Sequence, residues 1–529
     1  MRKGLIRDTA VVSAMTLLSR ILGFVRDIIL ARVFGAGGDM DAFLVAFKIP
    51  NFLRRLFAEG AFSLAFVPVV GEYRAQREGE VRELISRVSG TLGLILLLLS
   101  LAGILASPLV VAVFAPGFLD EPAKFDLTVQ MLRVTFSYIL FISLVAFASG
   151  IFNTYGRFAL PAAAPVLLNI SFIAAAWWAK PYFDVPVMAL AWAVAIGGVA
   201  QLLIMFPGLW RMGLLTWPRW GWRHAGVRRI LKLMGPAILG SSVAQINLLL
   251  DTIIASFLVT GSVSWLYYSD RMVEFPLGVF GIALATVILP SLSRSHAEAD
   301  PEQFQHILDR ALRWVALLSI PAALGLLLLA GPIMVALFQY DQFGAHDARM
   351  AALSLMAMAL GLPAFIFIKV LAPAFYARQD TATPVRIAII AMIANMGLNL
   401  LFVLPMLYLE IAGPHAGLAL ATTCSAWLNA GMLYRSLRQA EIYAPRPGWR
   451  PVWMRVLAGG VVMSGVLSYG VSDFELWVGR GSSERLLHLG MWITVAGAAY
   501  LGALQLLGQN LHQLWQRPDM PASIPESKE

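Results

Sequence analysis

Apolar runs of about 20 residues recur along the whole of this 529-residue chain, and each run is long enough to cross a bilayer as an α-helix. Only 13% of the residues are charged and 59% are hydrophobic, with a mean hydropathy of +0.74. A soluble surface needs about twice that share of charge. The alternating ten-residue segments of a β-barrel are absent from the sequence. The chain is therefore predicted to be an all-α polytopic membrane protein.

Fourteen transmembrane helices are predicted, with short connections between most of them. They cover residues 9–34, 42–70, 86–114, 129–154, 160–180, 186–207, 233–258, 264–292, 311–338, 350–377, 385–408, 415–437, 452–472 and 485–507. Lysine and arginine are concentrated in alternate loops, above all in the sixth loop, which has no acidic residue. By the positive-inside rule, both termini are predicted to be cytoplasmic.

A weak internal repeat appears at a shift of about 224 residues. For example, the sequence 108–114 (PLVVAVF) resembles 332–338 (PIMVALF). The repeat predicts two pseudo-symmetric six-helix lobes, at 1–225 and 226–440, followed by a helix pair within 441–510 and a disordered tail at 511–529. Six is an even number, so both lobes have the same orientation in the membrane. This arrangement is typical of carriers in which two lobes rock around a central site.

Several arginines fall inside the predicted spans, where each costs about 2.5–3.5 kcal/mol on the insertion scale. Arg20, Arg26, Arg54 and Arg271 lie roughly 12–21 Å below the predicted periplasmic ends of their helices. Three of them have no acid at helical spacing, whereas Glu274 follows Arg271 at i+3. We expect these side chains to face a shared aqueous cavity. An excess of cationic groups there predicts an anionic substrate, and the planar fork of arginine suits phosphate.

Other polar residues within the spans are open to two interpretations. Asp251 lies in span 7, Asn395 and Asn399 share a face of span 11, and Thr422 or Thr423 follows in span 12. Oxygen ligands of this kind could hold Na⁺ or relay a proton, or they could form interhelical hydrogen bonds. The predicted ion site, if these residues bind an ion, consists of Asp251, Asn395, Asn399 and Thr423.

The sequence offers no motif for catalysis. It has no HExxH motif, no GKS/T loop and no cysteine cluster, so it predicts a transporter without a bound cofactor rather than an enzyme. The basic sixth loop is explained by membrane topology, and nucleic acid is not expected as a partner.

Three strings in spans 1, 2 and 8 resemble one family. They read SRILGFVRD at 19–27, FKIPNFLRRLFAEGAFS at 47–63 and SWLYYSDRMVEFP at 264–276. The chain resembles the MurJ (MviN) family, the bacterial lipid II flippases of the MOP exporter superfamily. MATE-type drug exporters share the two-lobe plan but not these strings.

The resemblance implies a function, a substrate and a set of site residues. The family moves the lipid-linked peptidoglycan precursor, an undecaprenyl-diphosphate-linked disaccharide-pentapeptide, from the cytoplasmic to the periplasmic leaflet of the inner membrane. Its substrate-binding residues would correspond to Arg20, Arg26, Arg54, Arg271, Asp41, Glu274 and Ser19. The last two helices would form a groove for the lipid tail. A coupling ion, Na⁺ or H⁺, or the membrane potential would supply the energy for transport. The chain is expected to be a monomer, and the cell-wall synthesis machinery is a candidate partner.

Two alternatives remain at this point. A flippase for another polyprenyl-diphosphate-linked glycan would suit the same arginines. A MATE-like exporter of cationic drugs would favour acids at its site, whereas this cavity is rich in arginine.

Overall fold

The chain forms helices and almost nothing else. A computed structural model describes residues 2–55, 62–471 and 473–508, and over these residues no strand is formed. The predicted all-α class is confirmed. In chain order the α-helices are α1 (Arg2–Phe34), α2 (Gly38–Arg54), α3 (Ser63–Gln76), α4 (Val81–Leu105), α5 (Ser107–Phe114), α6 (Pro122–Thr135), α7 (Tyr138–Thr154), α8 (Ala159–Ala174), α9 (Met188–Leu203), α10 (Met205–Arg211), α11 (Ala225–Ala255), α12 (Ser262–Pro276), α13 (Ala283–Ala297), α14 (Pro301–Leu328), α15 (Ala330–Phe338), α16 (Ala345–Ala359), α17 (Leu362–Tyr376), α18 (Ala382–Tyr408), α19 (His415–Gln439), α20 (Trp449–Gly470), α21 (Phe474–Gly479) and α22 (Ser482–Leu506).

The helices are long and apolar enough to make this a polytopic membrane protein. Nine helical stretches in the described ranges can cross a bilayer by length and composition, and a tenth span arises if α16 and α17, which meet at a 41° bend, count as one. The count of fourteen stays a prediction. The predicted tail at 511–529 lies outside the described residues.

Helix α4 shows what such a helix presents to lipid. Leu97, Leu98, Leu101 and Leu105 are exposed on it, and Leu109 continues the row on α5. A contiguous apolar surface of this kind is unfavourable in water and is stable against lipid tails.

The chain packs into two compact units that interleave along the sequence. Unit 1 consists of Met1–Met272, Leu337–Ala357 and Ala382–Asn429, and unit 2 consists of Val273–Ala336, Met358–Thr381 and Ala430–Glu529. The two compact units are defined by how the helices pack and not by the internal sequence repeat. The predicted lobe boundaries at 225 and 440 therefore stay a prediction.

Unit 2 contains a buried carboxylate near the start of α14. Asp309 is 3% exposed, and its Oδ1 accepts hydrogen bonds from the Tyr443 hydroxyl at 2.7 Å, the Trp449 indole at 2.8 Å and the Arg446 backbone amide at 3.2 Å. Its Oδ2 lies 2.8 Å from Arg313 Nε. Burial and the bond to Asp309 raise the pKa of the Tyr443 phenol above its ordinary value. One carboxylate thus ties the 443–449 connection, and with it the start of α20, to α14.

Replacing Asp309 with alanine should destabilise unit 2. The change removes the acceptor that Asp309 offers to the Arg313 cation and to three hydrogen-bond donors, and breaking a buried pair costs about 3–5 kcal/mol. Glu302→Gln is the matched control, because that side chain is 87% exposed in its contact with Arg446 and an exposed pair contributes about 0–1 kcal/mol. Thermal unfolding in detergent micelles measures both. Equal midpoints for Asp309→Ala and Glu302→Gln would contradict the anchoring role.

Candidate functional site

Arg26, which was expected to line a cavity, lies at the centre of a polar cluster within unit 1. Its Nη2 and Nε lie 2.7 Å and 2.9 Å from Oδ1 of Asp27, its neighbour in α1. Its Nη1 donates to Asn169 Oδ1 of α8 at 3.0 Å, and the guanidinium lies 5.3 Å from the centre of the Phe172 ring. The Arg26 and Asp27 side chains are 13% and 3% exposed. The arginine is therefore buried, partly neutralised and held in one orientation.

Tyr267 of α12 joins a second arginine to this cluster. Its hydroxyl donates to Asp27 Oδ1 at 2.9 Å and lies 3.3 Å from Arg26 Nη2. The guanidinium of Arg271, one turn further along α12, stacks 5.0 Å from the centre of the Tyr267 ring, and its Nη2 lies 3.5 Å from Asp270 Oδ2. Two of the four predicted arginines, on α1 and α12, thus share one tyrosine.

The other predicted substrate residues lie around or beyond this cluster. The Ser19 backbone carbonyl accepts a hydrogen bond from Asn169 Nδ2 at 3.0 Å, which ties it to the cluster. Arg20 is exposed on α1. Arg54 Nε donates to Asn51 Oδ1 at 2.9 Å near the end of α2. Glu274 is exposed on α12 and belongs to unit 2.

Asp41 occupies a different place from the arginines. It is 1% exposed, and its carboxylate accepts hydrogen bonds from the Gly261 amide at 2.7 Å and from the Ser264 amide and hydroxyl at 2.9 Å and 2.6 Å. It thereby caps the N-terminus of α12, where backbone amides lack intrahelical partners. Gly261 has φ +100°, and a Cβ there would lie 2.8 Å from the Ala36 carbonyl oxygen. The cap fixes the start of the helix that carries Tyr267 and Arg271.

Lys124 of α6 supports this cap. Its Nζ lies 3.8 Å from Asp41 Oδ2 and 3.3 Å from Thr260 Oγ1, with the Phe118 ring centre 4.2 Å away. A buried ammonium is stable only with such partners. The sequence offered little sign of it, because Lys124 falls in a predicted loop.

The possible ion site forms one polar cluster in unit 1. Asn399 Nδ2 donates to Asp251 Oδ1 and to Asn395 Oδ1, both at 2.8 Å, and the Thr422 hydroxyl lies 3.5 Å from Asp251 Oδ2. The Thr423 hydroxyl instead donates to the Ala357 carbonyl at 2.7 Å. The structure thus places Thr422, not Thr423, beside Asp251.

The oxygen atoms of this cluster suit a monovalent cation. Asn395 and Asn399 are fully buried, and Asn399 Oδ1 has no hydrogen-bond partner among the described residues. A buried amide oxygen without a donor is costly, and a cation would relieve that cost. No group of three or more histidine, cysteine or acidic side chains in the described ranges could hold a metal.

Three residues of the arginine and ion clusters escaped the sequence analysis. Lys48, which could have extended toward the membrane surface, donates to Thr252 Oγ1 at 3.1 Å, next to Asp251. Asn169 is the only amide in its apolar span, and Tyr267 stands at i−4 from Arg271. Those two positions carried a usable signal, because an isolated polar group in a span needs a partner.

Comparisons with known proteins identify the family of this chain. The sequence model of the family described as "Lipid II flippase MurJ" matches residues 30–485. A probable lipid II flippase MurJ of Vibrio cholerae serotype O1 is 47% identical, with 97% of this chain and 98% of that protein covered. The lipid II flippase MurJ of Burkholderia cenocepacia is 43% identical, with 95% and 98% covered.

Solved structures give the same result for the fold. A lipid II flippase MurJ in an inward closed conformation matches with a TM-score of 0.79 at 27% identity, covering 95% of this chain and 99% of that one. An inward-facing multidrug resistance transporter of the MATE family, in the MOP superfamily, matches with a TM-score of 0.65 at 15% identity, covering 82% and 98%. That second likeness concerns the fold alone. The resemblance seen in spans 1, 2 and 8 is confirmed, and the matches extend over nearly the whole chain. This chain belongs to the MurJ family of lipid II flippases.

Proposed function

We propose that this chain is a lipid flippase that moves lipid II from the cytoplasmic to the periplasmic leaflet of the inner membrane, as a step required for peptidoglycan synthesis. The observation that carries the proposal is that Tyr267 joins two arginines: its hydroxyl lies 3.3 Å from Arg26 Nη2, and its ring centre lies 5.0 Å from the Arg271 guanidinium. Relatives named for this activity, at 43% and 47% identity over nearly the whole chain, support it.

The arginine cluster suggests how a diphosphate is bound and released. Asp27 holds the Arg26 guanidinium in place and offsets its charge while the site is empty of substrate. An arriving diphosphate competes with Asp27 for the same N–H groups, and two phosphate groups present more acceptor oxygens than one carboxylate. Because Asp27 remains beside the site, it regains Arg26 when the headgroup leaves. This competition between Asp27 and the diphosphate keeps the affinity for the diphosphate moderate, as repeated transport cycles require.

Alternating access would carry the headgroup across while the lipid tail stays in the bilayer along the helices 441–510. The concentration of lysine and arginine in alternate loops supports the orientation with both termini in the cytoplasm. No bond is made or broken in this cycle, so the activity is transport.

A coupling ion is proposed to reset the cycle. The cluster of Asp251, Asn395, Asn399 and Thr422 offers oxygen atoms for Na⁺, and the Asp251 carboxylate alone could carry H⁺. The membrane potential would act on either ion, because one charge crossing 100 mV is worth about 2.3 kcal/mol.

Replacing Arg26 with alanine should strongly slow flipping. Loss of a charge-assisted hydrogen bond costs about 1.5–3 kcal/mol, or roughly 10–150-fold in transport rate. Arg26→Lys keeps the charge beside Asp27 but loses the planar fork, so it should rescue folding and only part of the flipping. Outward exposure of lipid II is measured by labelling cells depleted of the wild-type protein.

Arg32→Ala is the matched control for this test. Arg32 also lies on α1, but its side chain is 56% exposed in a pair with Asp341. The control should flip normally. Normal outward labelling in Arg26→Ala cells would overturn the proposed site. Loss of a different polyprenyl-linked glycan from the outer leaflet, with lipid II unchanged, would overturn the proposed substrate.

Asp251→Asn should remove the dependence of flipping on the coupling ion, because it deletes the only carboxylate of that cluster. Flipping by the purified chain in vesicles is compared with Na⁺ or K⁺ inside, and with or without a pH gradient. Glu410→Gln, at an exposed position, is the control. A flipping rate that depends on Na⁺ identifies Na⁺ as the coupling ion, and a rate that depends on the pH gradient identifies H⁺. A wild-type rate that responds to neither would refute ion coupling.

A further inference from the structure

The end of α10, the connection that follows it and the first turns of α11 carry a dense positive charge and contain no acid of their own. Residues 211–232 contain Arg211, Arg219, Arg223, Arg228, Arg229 and Lys232, and no aspartate or glutamate. All six side chains are exposed. Arg229 is paired with Glu72 at 2.8 Å, and this bond lowers the pKa of the Glu72 carboxyl. Among the described residues, no acid is paired with Arg211, Arg219 or Arg223.

Tryptophans are interleaved with these arginines and are exposed with them. Trp210 and Trp217 are 72% and 87% exposed, and Trp220 and Trp222 are about half exposed. The rings of Trp220 and Trp222 stack with their centres 6.1 Å apart and their planes 8° from parallel. Exposed indoles are unfavourable in water but favourable at the level of lipid headgroups, where the ring meets apolar chains and the N–H meets water.

The fold holds residues 212–224 in one conformation although they form no regular secondary structure. The Arg219 amide donates to the Ser86 carbonyl at 2.9 Å, and the Ser86 hydroxyl donates to the Trp217 carbonyl at 2.6 Å. The Gly221 amide donates to Thr91 Oγ1 at 3.0 Å. These bonds fasten the backbone along the N-terminal half of α4 and leave the arginine and tryptophan side chains facing outward.

Close contact with α4 leaves the segment little freedom. A Cβ at Gly90 would lie 2.3 Å from the Arg219 carbonyl oxygen, and one at Gly221 would lie 2.5 Å from the Arg87 side chain. Only glycine permits this approach at either position. The positive-inside rule accounts for the presence of the charges, but not for a segment fixed so that four indoles and three arginines without acidic partners point away from the protein.

We propose that residues 210–223 form a binding surface for anionic phospholipid headgroups of the cytoplasmic leaflet. The arginines match the charge of phosphodiester groups and can donate two parallel hydrogen bonds to each. The tryptophans enter the boundary between headgroups and acyl chains, and α4 sets their depth. The surface would hold this end of unit 1 at the headgroup level.

The test uses native mass spectrometry of the full chain titrated with phosphatidylglycerol, with phosphatidylcholine as the neutral lipid. The variant combines Arg211→Gln, Arg219→Gln and Arg223→Gln. Each exposed arginine near an anionic surface contributes about 1 kcal/mol, so binding should weaken roughly fivefold for each arginine removed. Phosphatidylcholine binding should not change.

A second triple variant removes the same charge from another predicted cytoplasmic connection, namely Arg435→Gln, Arg438→Gln and Arg450→Gln. These side chains are also exposed, and this variant should keep its affinity for phosphatidylglycerol. Equal losses in the two variants would show a general effect of net charge and overturn the proposal. Full retention by the first variant would overturn it as well. Loss of lipid II binding with phosphatidylglycerol binding intact would assign the surface to the substrate instead.

The tryptophans are tested separately, with unchanged charge. Trp217→Ser with Trp222→Ser should weaken phosphatidylglycerol binding, whereas Trp177→Ser with Trp178→Ser should not. Trp177 and Trp178 are equally exposed but follow α8, outside the basic connection. Unchanged unfolding temperatures in detergent establish that all variants are folded. A loss confined to the Trp177 pair would contradict the proposed surface.

Discussion

The cost of placing a guanidinium inside an apolar bundle governs the centre of unit 1. Arg26 is 13% exposed, and such a charge is stable only where opposite charge and hydrogen-bond acceptors surround it. Asp27, Asn169 and Tyr267 supply them from three helices. Those helices are consequently held in register by the charge that they solvate. The functional group and the packing of the helices around it therefore depend on one another.

Carboxylates perform a related task elsewhere in the chain. Asp41 in unit 1 and Asp309 in unit 2 are almost fully buried, and each gathers several donors from segments that are distant in sequence. In a medium without water, an unpaired donor costs several kcal/mol, so a single acid can determine where two helices meet. Asp41 orients the start of α12, which then presents Tyr267 and Arg271 to α1. The cap is thus part of the site without belonging to its binding surface.

The sequence predicted the fold class and the family, because apolar length and the strings of spans 1, 2 and 8 are local signals. The role of the four arginines in substrate binding stays a prediction. The partners of those arginines were harder to predict. Helical spacing favours acids at i+3 or i+4, yet Arg26 pairs with Asp27 at i+1. The choice between Thr422 and Thr423 depended on the rotation of α19, which packing decides. The direction of the Lys48 side chain likewise depends on packing, since its Nζ donates to Thr252 Oγ1.

The likeness to a MATE-family transporter shows how little the fold alone determines. At 15% identity the two chains share an architecture over 82% of this one, while the residues inside it are free to differ. On one helical scaffold, acidic side chains favour cationic ligands, whereas arginines such as Arg26 and Arg271 favour anions. The internal acid then sets how tightly the anion is held: Asp27 offsets much of the charge of Arg26 before any substrate arrives. A site with arginines alone would bind a diphosphate more tightly but would release it more slowly. A carrier must bind and release its substrate in every cycle.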